Sequence, residues 1–370
     1  MNPIRRILVV QPYGIGDLLF LTPVFRAARV LPGLERLDLL LGSRTAEIVR
    51  RNPHVDEVMV VDKDLFHRRG NLENLKEAAA LSRKIKAARY DLLLDFSLRG
   101  EYAFAAQFLW GIRRRAGFNY KRRGFFHNIR VSIPEGFKGR HVAEHVIELA
   151  EKAGIPVRDR FLEFYPEESE RREAAEILEK ARLGRFVAVS AGGGESWGRD
   201  AHFKRWPAAN FAALVERLRA KIDFDGAVLL GSPAEKPLTA EVAAQLRIPV
   251  LDLAGVPLRL AAAVLERAAL YTGNDGGLLH LAHALRVPVI GMYGPVDPAV
   301  YGPFPGSNQA IAVVKENLEC RPCYQKFRYK SDCAHRDCLQ RLTPEEAMEY
   351  LENKNFFRSG INGEAEKIQK

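Results

Sequence analysis

The sequence predicts an α/β protein with two Rossmann-like domains in series. Short apolar segments of strand length alternate with amphipathic helical segments in the first half of the chain, and the alternation starts again after residue 184. Such alternation is typical of parallel strands joined by crossover helices. At 370 residues the chain is also long enough for two domains of ordinary size.

The first half is predicted to be one domain, residues 1–165. Helices are expected at about 71–88, 101–110 and 141–153, and the basic stretch at 112–124 is interpreted as loop. The predicted strands of this domain are RILVVQP, LDLLLGS, EVMVVD, DLLLDFS and NIRVSI.

A second domain is predicted at residues 185–353. The charge-rich residues 166–184 are interpreted as a linker and a helix that leads into it, and the tail at 354–370 is expected to be loosely ordered. Ligands bind such sheets at the carboxyl ends of the strands. The predicted strands are RFVAVSAGGG, FDGAVLLGS, IPVLDLAG, ALYTGND and VPVIGMYG.

The composition indicates a soluble globular protein. Hydrophobic residues make up 47% and charged residues 28%, and no apolar run approaches the ~18 residues of a membrane span. The apolar start ends at Gln11, too early for a signal peptide, which predicts a cytoplasmic protein. The net charge of +10 favours an anionic partner such as nucleic acid, a phosphorylated sugar or a membrane surface. No RNA- or DNA-reading motif is present, which argues against nucleic acid.

Glycine-rich turns follow four of the predicted strands. Glycine lets backbone N–H groups approach a ligand, and a helix N-terminus carries about half a positive charge, so the combination suits phosphate. Neither the P-loop nor the dinucleotide fingerprint occurs. A single turn of this kind can be purely structural, but three in the second half predict a nucleotide there. The turns are QPYGIGD, SAGGGESWGRD, LLGSPAE and TGNDGG.

The segment from Asp275 to Pro298 carries a resemblance to a known family. DGGLLHLAHALRVPVIGMYGPVDP resembles the nucleotide-binding signature of family 9 glycosyltransferases, the heptosyltransferases of lipopolysaccharide core assembly. The family pattern has Thr or Ser where this chain has Gly276, and Thr where it has Val296. Other similar stretches are RILVVQPYGIGDLLFLTPVFRAAR, FKRWP, GSPAEKPLTAEV and the cysteine segment followed by LTPEEAMEYL.

The resemblance implies a GT-B architecture and an inverting transfer of heptose from ADP-heptose to a sugar hydroxyl, without a cofactor for catalysis. It implies Asp17 as the general base, although a helix N-cap role fits the same position. It implies contacts of Lys204 with the pyrophosphate and of Glu235 with the ribose hydroxyls. The residues expected around the phosphates are Asp275, Gly276, Gly277 and His280. For Asp275 a capping role, and for His280 a packing role, are the alternatives.

The implied acceptor is an anionic, lipid-linked oligosaccharide at the inner face of the cytoplasmic membrane. Basic side chains on predicted loops of the first domain suit such an acceptor and a peripheral membrane contact, and Phe125 and Phe126 follow the last of them. A merely solvated basic surface is the alternative. The expected acceptor-binding residues are Arg68, Arg69, Arg113, Lys121 and Arg122, in clusters that also include Arg114, Arg115 and Arg123.

All four cysteines lie in one segment, at Cys320, Cys323, Cys333 and Cys338. Four thiols this close together predict a structural zinc or iron site, with reduced thiols or a facultative disulfide as the alternatives. In the family that this sequence resembles, some members that act on autotransporter proteins carry a comparable iron-binding cysteine motif. A protein acceptor is therefore a second functional hypothesis, and a nucleotide-sugar-binding protein without transfer activity is a third.

Overall fold

The computed structural model describes residues 3–61, 71–194, 198–304, 309–329 and 333–358. The chain divides into two compact units, Met1–Tyr165 and Pro166–Lys370. No helix in the described ranges combines the length and the apolar character that a bilayer span requires.

The first unit is built around a sheet of parallel strands, six in the described residues, in the order β3-β2-β1-β4-β5-β6. The chain reverses its direction of winding between β1 and β4, which is where open α/β sheets bind ligands. The strands are β1 Arg6–Gln11, β2 Arg36–Gly42, β3 Glu57–Val61, β4 Leu92–Asp95, β5 Arg114–Asn119 and β6 Ile129–Ser132. The helices are α1 Ile15–Leu19, α2 Thr22–Arg29, α3 Ala46–Val49, α4 Asn71–Ala88, α5 Glu101–Phe108 and α6 Val142–Lys152.

The second unit repeats this plan, with the order β12-β11-β10-β7-β8-β9 and parallel pairing throughout the described sheet. Its winding reverses between β7 and β10. The strands are β7 Phe186–Ser190, β8 Gly226–Leu229, β9 Val250–Asp252, β10 Leu270–Asn274, β11 Val289–Tyr293 and β12 Ala310–Val314, with a hairpin of β13 Tyr324–Gln325 and β14 Arg328–Tyr329. The helices are α7 Glu168–Lys180, α8 Ala208–Leu218, α9 Lys236–Ala243, α10 Leu258–Leu265, α11 Gly277–Ala284, α12 Pro298–Tyr301, α13 Asp337–Gln340 and α14 Pro344–Asn353.

Apolar side chains on both faces of the sheets form the cores. Residues 7–10 of β1 are fully buried, as expected for a strand covered by helices on both sides. In the second unit Trp206 packs edge-on against Phe211 at 4.9 Å between ring centroids, and its Nε1 donates to the carbonyl oxygen of Leu342 at 2.7 Å. Burying a large apolar side chain contributes roughly 1.5–3 kcal/mol.

The predicted fold class is confirmed, but the assignment of residues 112–124 as loop was wrong. Arg114–Asn119 forms β5, in which the Arg114 guanidinium donates to the carbonyl oxygen of Ala153 at 2.6 Å. The guanidinium of Arg115 donates to the carbonyl oxygen of Phe126 at 2.8 Å. These two arginines therefore brace the first unit. Strand β12 had not been predicted, and it lies at the edge of the second sheet.

The segments at the domain borders join the second unit. Within the predicted linker, α7 is held by ion pairs from Glu170 to Arg259 at 2.5 Å and from Arg171 to Glu266 at 2.7 Å. At the start of the predicted tail, Phe356 is buried in the core of the second unit. The remaining tail, 359–370, lies outside the described residues.

Candidate active site

Two glycine turns meet at the switch point of the second sheet. Gly193 and Gly194 follow β7, both with φ of +80°, a conformation that residues with a Cβ rarely adopt. Gly276 follows β10 with extended backbone, and a Cβ there would lie 2.5 Å from the carbonyl oxygen of Gly193. The glycine that replaces the family's Thr or Ser therefore allows the two turns to pack backbone against backbone.

Asn274 holds these turns in place. Its Oδ1 accepts from the backbone N–H of Trp206 at 2.9 Å, and its Nδ2 donates to the carbonyl oxygen of Ala191 at 2.6 Å. The Nε of Arg205 donates to the carbonyl oxygen of Gly192 at 2.9 Å. The segment that carries Lys204 is thereby fixed against the ends of β7 and β10.

Lys204 forms a buried ion pair with Asp275. Its Nζ lies 2.6 Å from the Oδ2 of Asp275, and the two side chains are only 8% and 7% exposed. A buried charge is costly unless it is paired, so each of these residues depends on the other. The result is a positioned ammonium at the carboxyl edge of the sheet, directly before the first turn of α11.

Helix α11 begins at Gly277, immediately after this ion pair. Its first turn therefore adds unpaired backbone N–H groups and a partial positive charge to the site. His280 lies in the first turn and is buried. One turn later, His283 has its Nε2 2.5 Å from the carbonyl oxygen of Phe304, and burial lowers its pKa.

Glu235 supports the glycine loop in this structure. Its Oε1 accepts from the backbone N–H of Gly194 at 3.0 Å, and its Oε2 accepts from that of Ser232 at 2.8 Å. The carboxylate lies where a side chain on residue 192 would be, since a Cβ on Gly192 would be 1.9 Å from Oε1. Contact of Glu235 with ribose stays a prediction.

The first unit places Asp17 in the turn that follows β1. Asp17 is the third residue of α1, and its Oδ2 accepts from the backbone N–H of Gly14 at 3.2 Å. The carboxylate thus takes part in capping the helix, and its role as general base stays a prediction. Nearby, the hydroxyl of Tyr13 donates to the carbonyl oxygen of Ser97 at 2.6 Å, which ties the turn after β1 to the turn after β4.

The predicted acceptor-binding residues do not all lie together. Lys121 and Arg122 are exposed in the turn after β5, at the carboxyl edge of the first sheet. Arg113 is also exposed, but it precedes β5 and so lies at the amino edge. Arg68 and Arg69 lie outside the described residues.

The cysteine segment gives no support to a metal site. Within the described parts of the chain, no three His, Cys, Asp or Glu side chains are grouped so that they could hold a metal ion, and none of the four cysteines forms a disulfide. Cys323 and Cys338 are buried, whereas Cys320 is exposed. Burial raises the pKa of Cys338 to about 12, and the nearby Cys323 adds to this.

Sequence reasoning missed two residues of β10, Asn274 and Tyr271. Asn274 belongs to the glycine turn TGNDGG, and its side chain also joins this turn to two other segments. Tyr271, fully buried in β10, was missed as well, and burial raises the pKa of its phenol. The available signal was an Asn at the end of a buried strand, a position at which side-chain hydrogen bonds commonly fix a turn.

Comparisons with known proteins agree with the fold and identify the family. The model of glycosyltransferase family 9 (heptosyltransferase) matches residues 78–332. Lipopolysaccharide heptosyltransferase 1 of Pseudomonas aeruginosa is 26% identical, over 87% of this chain and 86% of its own. Lipopolysaccharide heptosyltransferase 2 of Escherichia coli K12 is also 26% identical, over 94% and 97%. The solved structure of E. coli ADP-heptose LPS heptosyltransferase II has a TM-score of 0.70 at 21% identity and covers 95% of this chain and 98% of that one.

The family model covers well over half of the chain, and the relatives match along nearly their whole lengths. The fold is that of the GT-B heptosyltransferase structures. The chain belongs to glycosyltransferase family 9 and is a glycosyltransferase.

Proposed function

We propose that the protein transfers heptose from ADP-heptose to a hydroxyl group of the lipopolysaccharide inner core, with inversion at the anomeric carbon. The observation that carries this proposal is the buried Lys204 ammonium, held 2.6 Å from Asp275 at the switch point of the second sheet and directly before α11. The names of the relatives supply the donor and the acceptor class.

The second unit would bind the ADP portion of the donor. Lys204 and the first N–H groups of α11 place positive charge at one edge, where a pyrophosphate carries negative charge. As the bond between the anomeric carbon and the β-phosphate oxygen breaks, both of its electrons stay on ADP. The same groups then stabilise the charge that grows on the leaving phosphate. This assignment needs no catalytic metal.

The first unit would supply the base and the acceptor site. The acceptor oxygen forms the new bond to the anomeric carbon while its proton passes to the carboxylate of Asp17. A well-placed base contributes about 10²–10⁴-fold to the rate. Lys121 and Arg122, together with Arg68 and Arg69, are the residues proposed to contact the acidic groups of the acceptor. We place the protein in the cytoplasm, peripherally at the inner face of the cytoplasmic membrane.

The direct test is a transfer assay with ADP-heptose and heptose-free lipopolysaccharide core. We expect ADP release that depends on the acceptor, together with a gain of one heptose in the mass of the product. UDP- and GDP-linked sugars serve as donor controls. Heptose found on a protein acceptor, with none on lipopolysaccharide, would replace the proposed acceptor. The hypothesis of a protein acceptor was based on a cysteine metal site, and the described residues give no support to such a site.

A further inference from the structure

An exposed apolar surface lies on the first unit, formed by α5 and the loop from β5 to β6. Seven large apolar side chains are exposed among the described residues, and four of them lie in these two segments or directly after α5: Phe104, Phe108, Leu109 and Phe125. Phe125 is 76% and Phe108 57% exposed. Isolated exposed apolar residues are ordinary, whereas a contiguous group marks an interaction surface.

The rings of this surface touch one another. Phe104 and Phe108, one helical turn apart, have ring centroids 4.9 Å apart. Phe126, from the loop, lies 5.3 Å from Phe104 and 5.3 Å from Phe125. We call Phe104, Phe108, Leu109, Phe125 and Phe126 the aromatic patch. It joins a helix to a loop that follows it by more than ten residues.

The fold holds the loop of the aromatic patch in place from below. The Nε of Arg115 donates to the carbonyl oxygen of Phe126, and the next residue, His127, is buried with its Nε2 3.1 Å from the Oδ2 of Asp95. On the other side, the backbone N–H of Gly124 donates to the Oδ1 of Asn119 at 3.3 Å. The exposure of Phe125 is therefore imposed by an anchored loop.

Basic residues outnumber acidic ones in the segment of the chain that contains the aromatic patch. Lys121, Arg122 and Arg123 are exposed in the same loop. From Arg99 to Arg130 the chain has eight basic side chains and one acidic one, Glu101. Glu101 is already paired with Arg99 at 2.8 Å.

Lys121 and Arg122 both lie in the left-handed region, with φ of +49° and +62°, as do Lys326 and Phe327 in the hairpin of β13 and β14. Non-glycine residues adopt the left-handed region at a cost, and such strain is commonly kept at functional sites. The backbone N–H of Arg123 closes this turn by donating to the carbonyl oxygen of Tyr120 at 2.9 Å.

We infer that the aromatic patch and the Lys121–Arg123 turn dock the protein on an anionic lipid bilayer. The inference rests on the proposed function, for which it names the membrane-facing surface. Exposed Phe and Leu side chains bury favourably at the boundary between headgroups and acyl chains, and cations are attracted to the headgroups of anionic lipids. A second copy of the chain fits less well, because a symmetric contact would bring the cationic turns of both copies together.

The test measures sedimentation of the full chain with vesicles, in the absence of any donor sugar. The vesicles are phosphatidylcholine alone or phosphatidylcholine mixed with phosphatidylglycerol. We expect binding to the anionic vesicles that is at least about tenfold stronger than to the neutral ones, and that weakens with salt. The double variant Phe108→Ser/Phe125→Ser should lose about tenfold or more in affinity for the anionic vesicles, since it removes two rings that would be buried in the bilayer.

The matched control is Val30→Ser/Leu75→Ser. Both residues are exposed apolar side chains of the first unit, 77% and 67% exposed, and neither belongs to the aromatic patch. This control should bind vesicles like the wild type, and both double variants should keep the melting temperature and the ADP affinity of the wild type.

Equal vesicle binding by wild type and Phe108→Ser/Phe125→Ser would overturn the inference. So would an equal loss in the control, or a concentration-dependent dimer in ultracentrifugation that only the patch variant abolishes. The two proposals can fail separately. Vesicle binding without any heptose transfer would refute the proposed function and leave the docking surface standing. Heptose transfer without vesicle binding would support the proposed function and refute the docking surface.

Discussion

The carboxyl edges of the two sheets differ in the burial of their polar side chains. We call the edge of the second sheet the closed edge and the turn from Lys121 to Arg123 on the first sheet the open edge. At the edge of the second sheet, Lys204, Glu235, Asn274 and Asp275 are all buried and bonded to one another or to the neighbouring turns. At the edge of the first sheet, the turn from Lys121 to Arg123 is exposed. A prearranged edge suits a small ligand with fixed phosphates, whereas an open cationic edge suits a large acceptor at a membrane.

The largest expected effect is on the rate of transfer, from Asp17→Asn. The amide oxygen still accepts from the N–H of Gly14, so the turn should survive, but an amide cannot take up the proton of the acceptor. We expect transfer to fall by about 10²–10⁴-fold, with unchanged ADP affinity and melting temperature. If the variant melts instead, capping is the main role of Asp17, and a near wild-type rate would remove it as the base.

Lys204→Met tests whether the buried ammonium at the carboxyl edge of the second sheet binds ADP. The variant leaves Asp275 buried without its partner, which should lower the free energy of unfolding by about 3–5 kcal/mol. ADP affinity should fall about tenfold or more, since a charge-assisted hydrogen bond is lost.

The double variant Lys204→Met/Asp275→Asn separates folding from binding. Removing both charges should recover most of the lost stability but none of the ADP affinity. Stability is measured by urea unfolding and affinity by calorimetry. Recovery of ADP affinity in the double variant would mean that Lys204 acts only through the fold.

Gly276→Ser tests the close contact between the two glycine turns. The new Cβ would lie 2.5 Å from the carbonyl oxygen of Gly193, so the turns must separate. We expect a loss of about 1–3 kcal/mol in the free energy of unfolding, together with weaker ADP binding. Unchanged stability with tighter ADP binding would show that the turns adjust and that a hydroxyl is useful here.

The smallest expected effect is a pH dependence of stability from His283. Burial lowers its pKa in the folded protein, so below about pH 6.5 the unfolded chain binds more protons than the folded one. The free energy of unfolding should therefore fall as the pH drops below about 6.5. His283→Gln should make this slope shallower in urea titrations between about pH 5.5 and 7, and an unchanged slope would assign the effect to other groups.

The sequence predicted the fold well because strand and helix patterns are local. Strand β5 escaped prediction because it begins with two arginines, and because its buried stretch is only three residues long and includes Ala116 and Gly117, which have low strand propensity. The arginines are tolerated there because their guanidinium groups reach backbone carbonyl oxygens elsewhere in the unit. That compensation is not visible in a local pattern.

The candidate site was predicted only in part, because its key contacts join distant parts of the chain. Asn274 bonds to Trp206 across 68 positions and to Ala191 across 83. Glu235 lies in the space that Gly192 leaves without a side chain. Neither relation follows from residue spacing, although the glycine turns and the Lys-x-Trp-Pro element did locate the segments involved.

Calorimetry of ADP binding to two matched double variants decides which unit holds the nucleotide. One pair is Lys204→Met/Asp275→Asn at the closed edge, and the other is Lys121→Ala/Arg122→Ala at the open edge. We predict that ADP affinity falls about tenfold or more in the first variant and stays at the wild-type value in the second. An equal affinity for ADP in the first variant and the wild type, or a loss confined to the second, would contradict the placement of the nucleotide on the second unit.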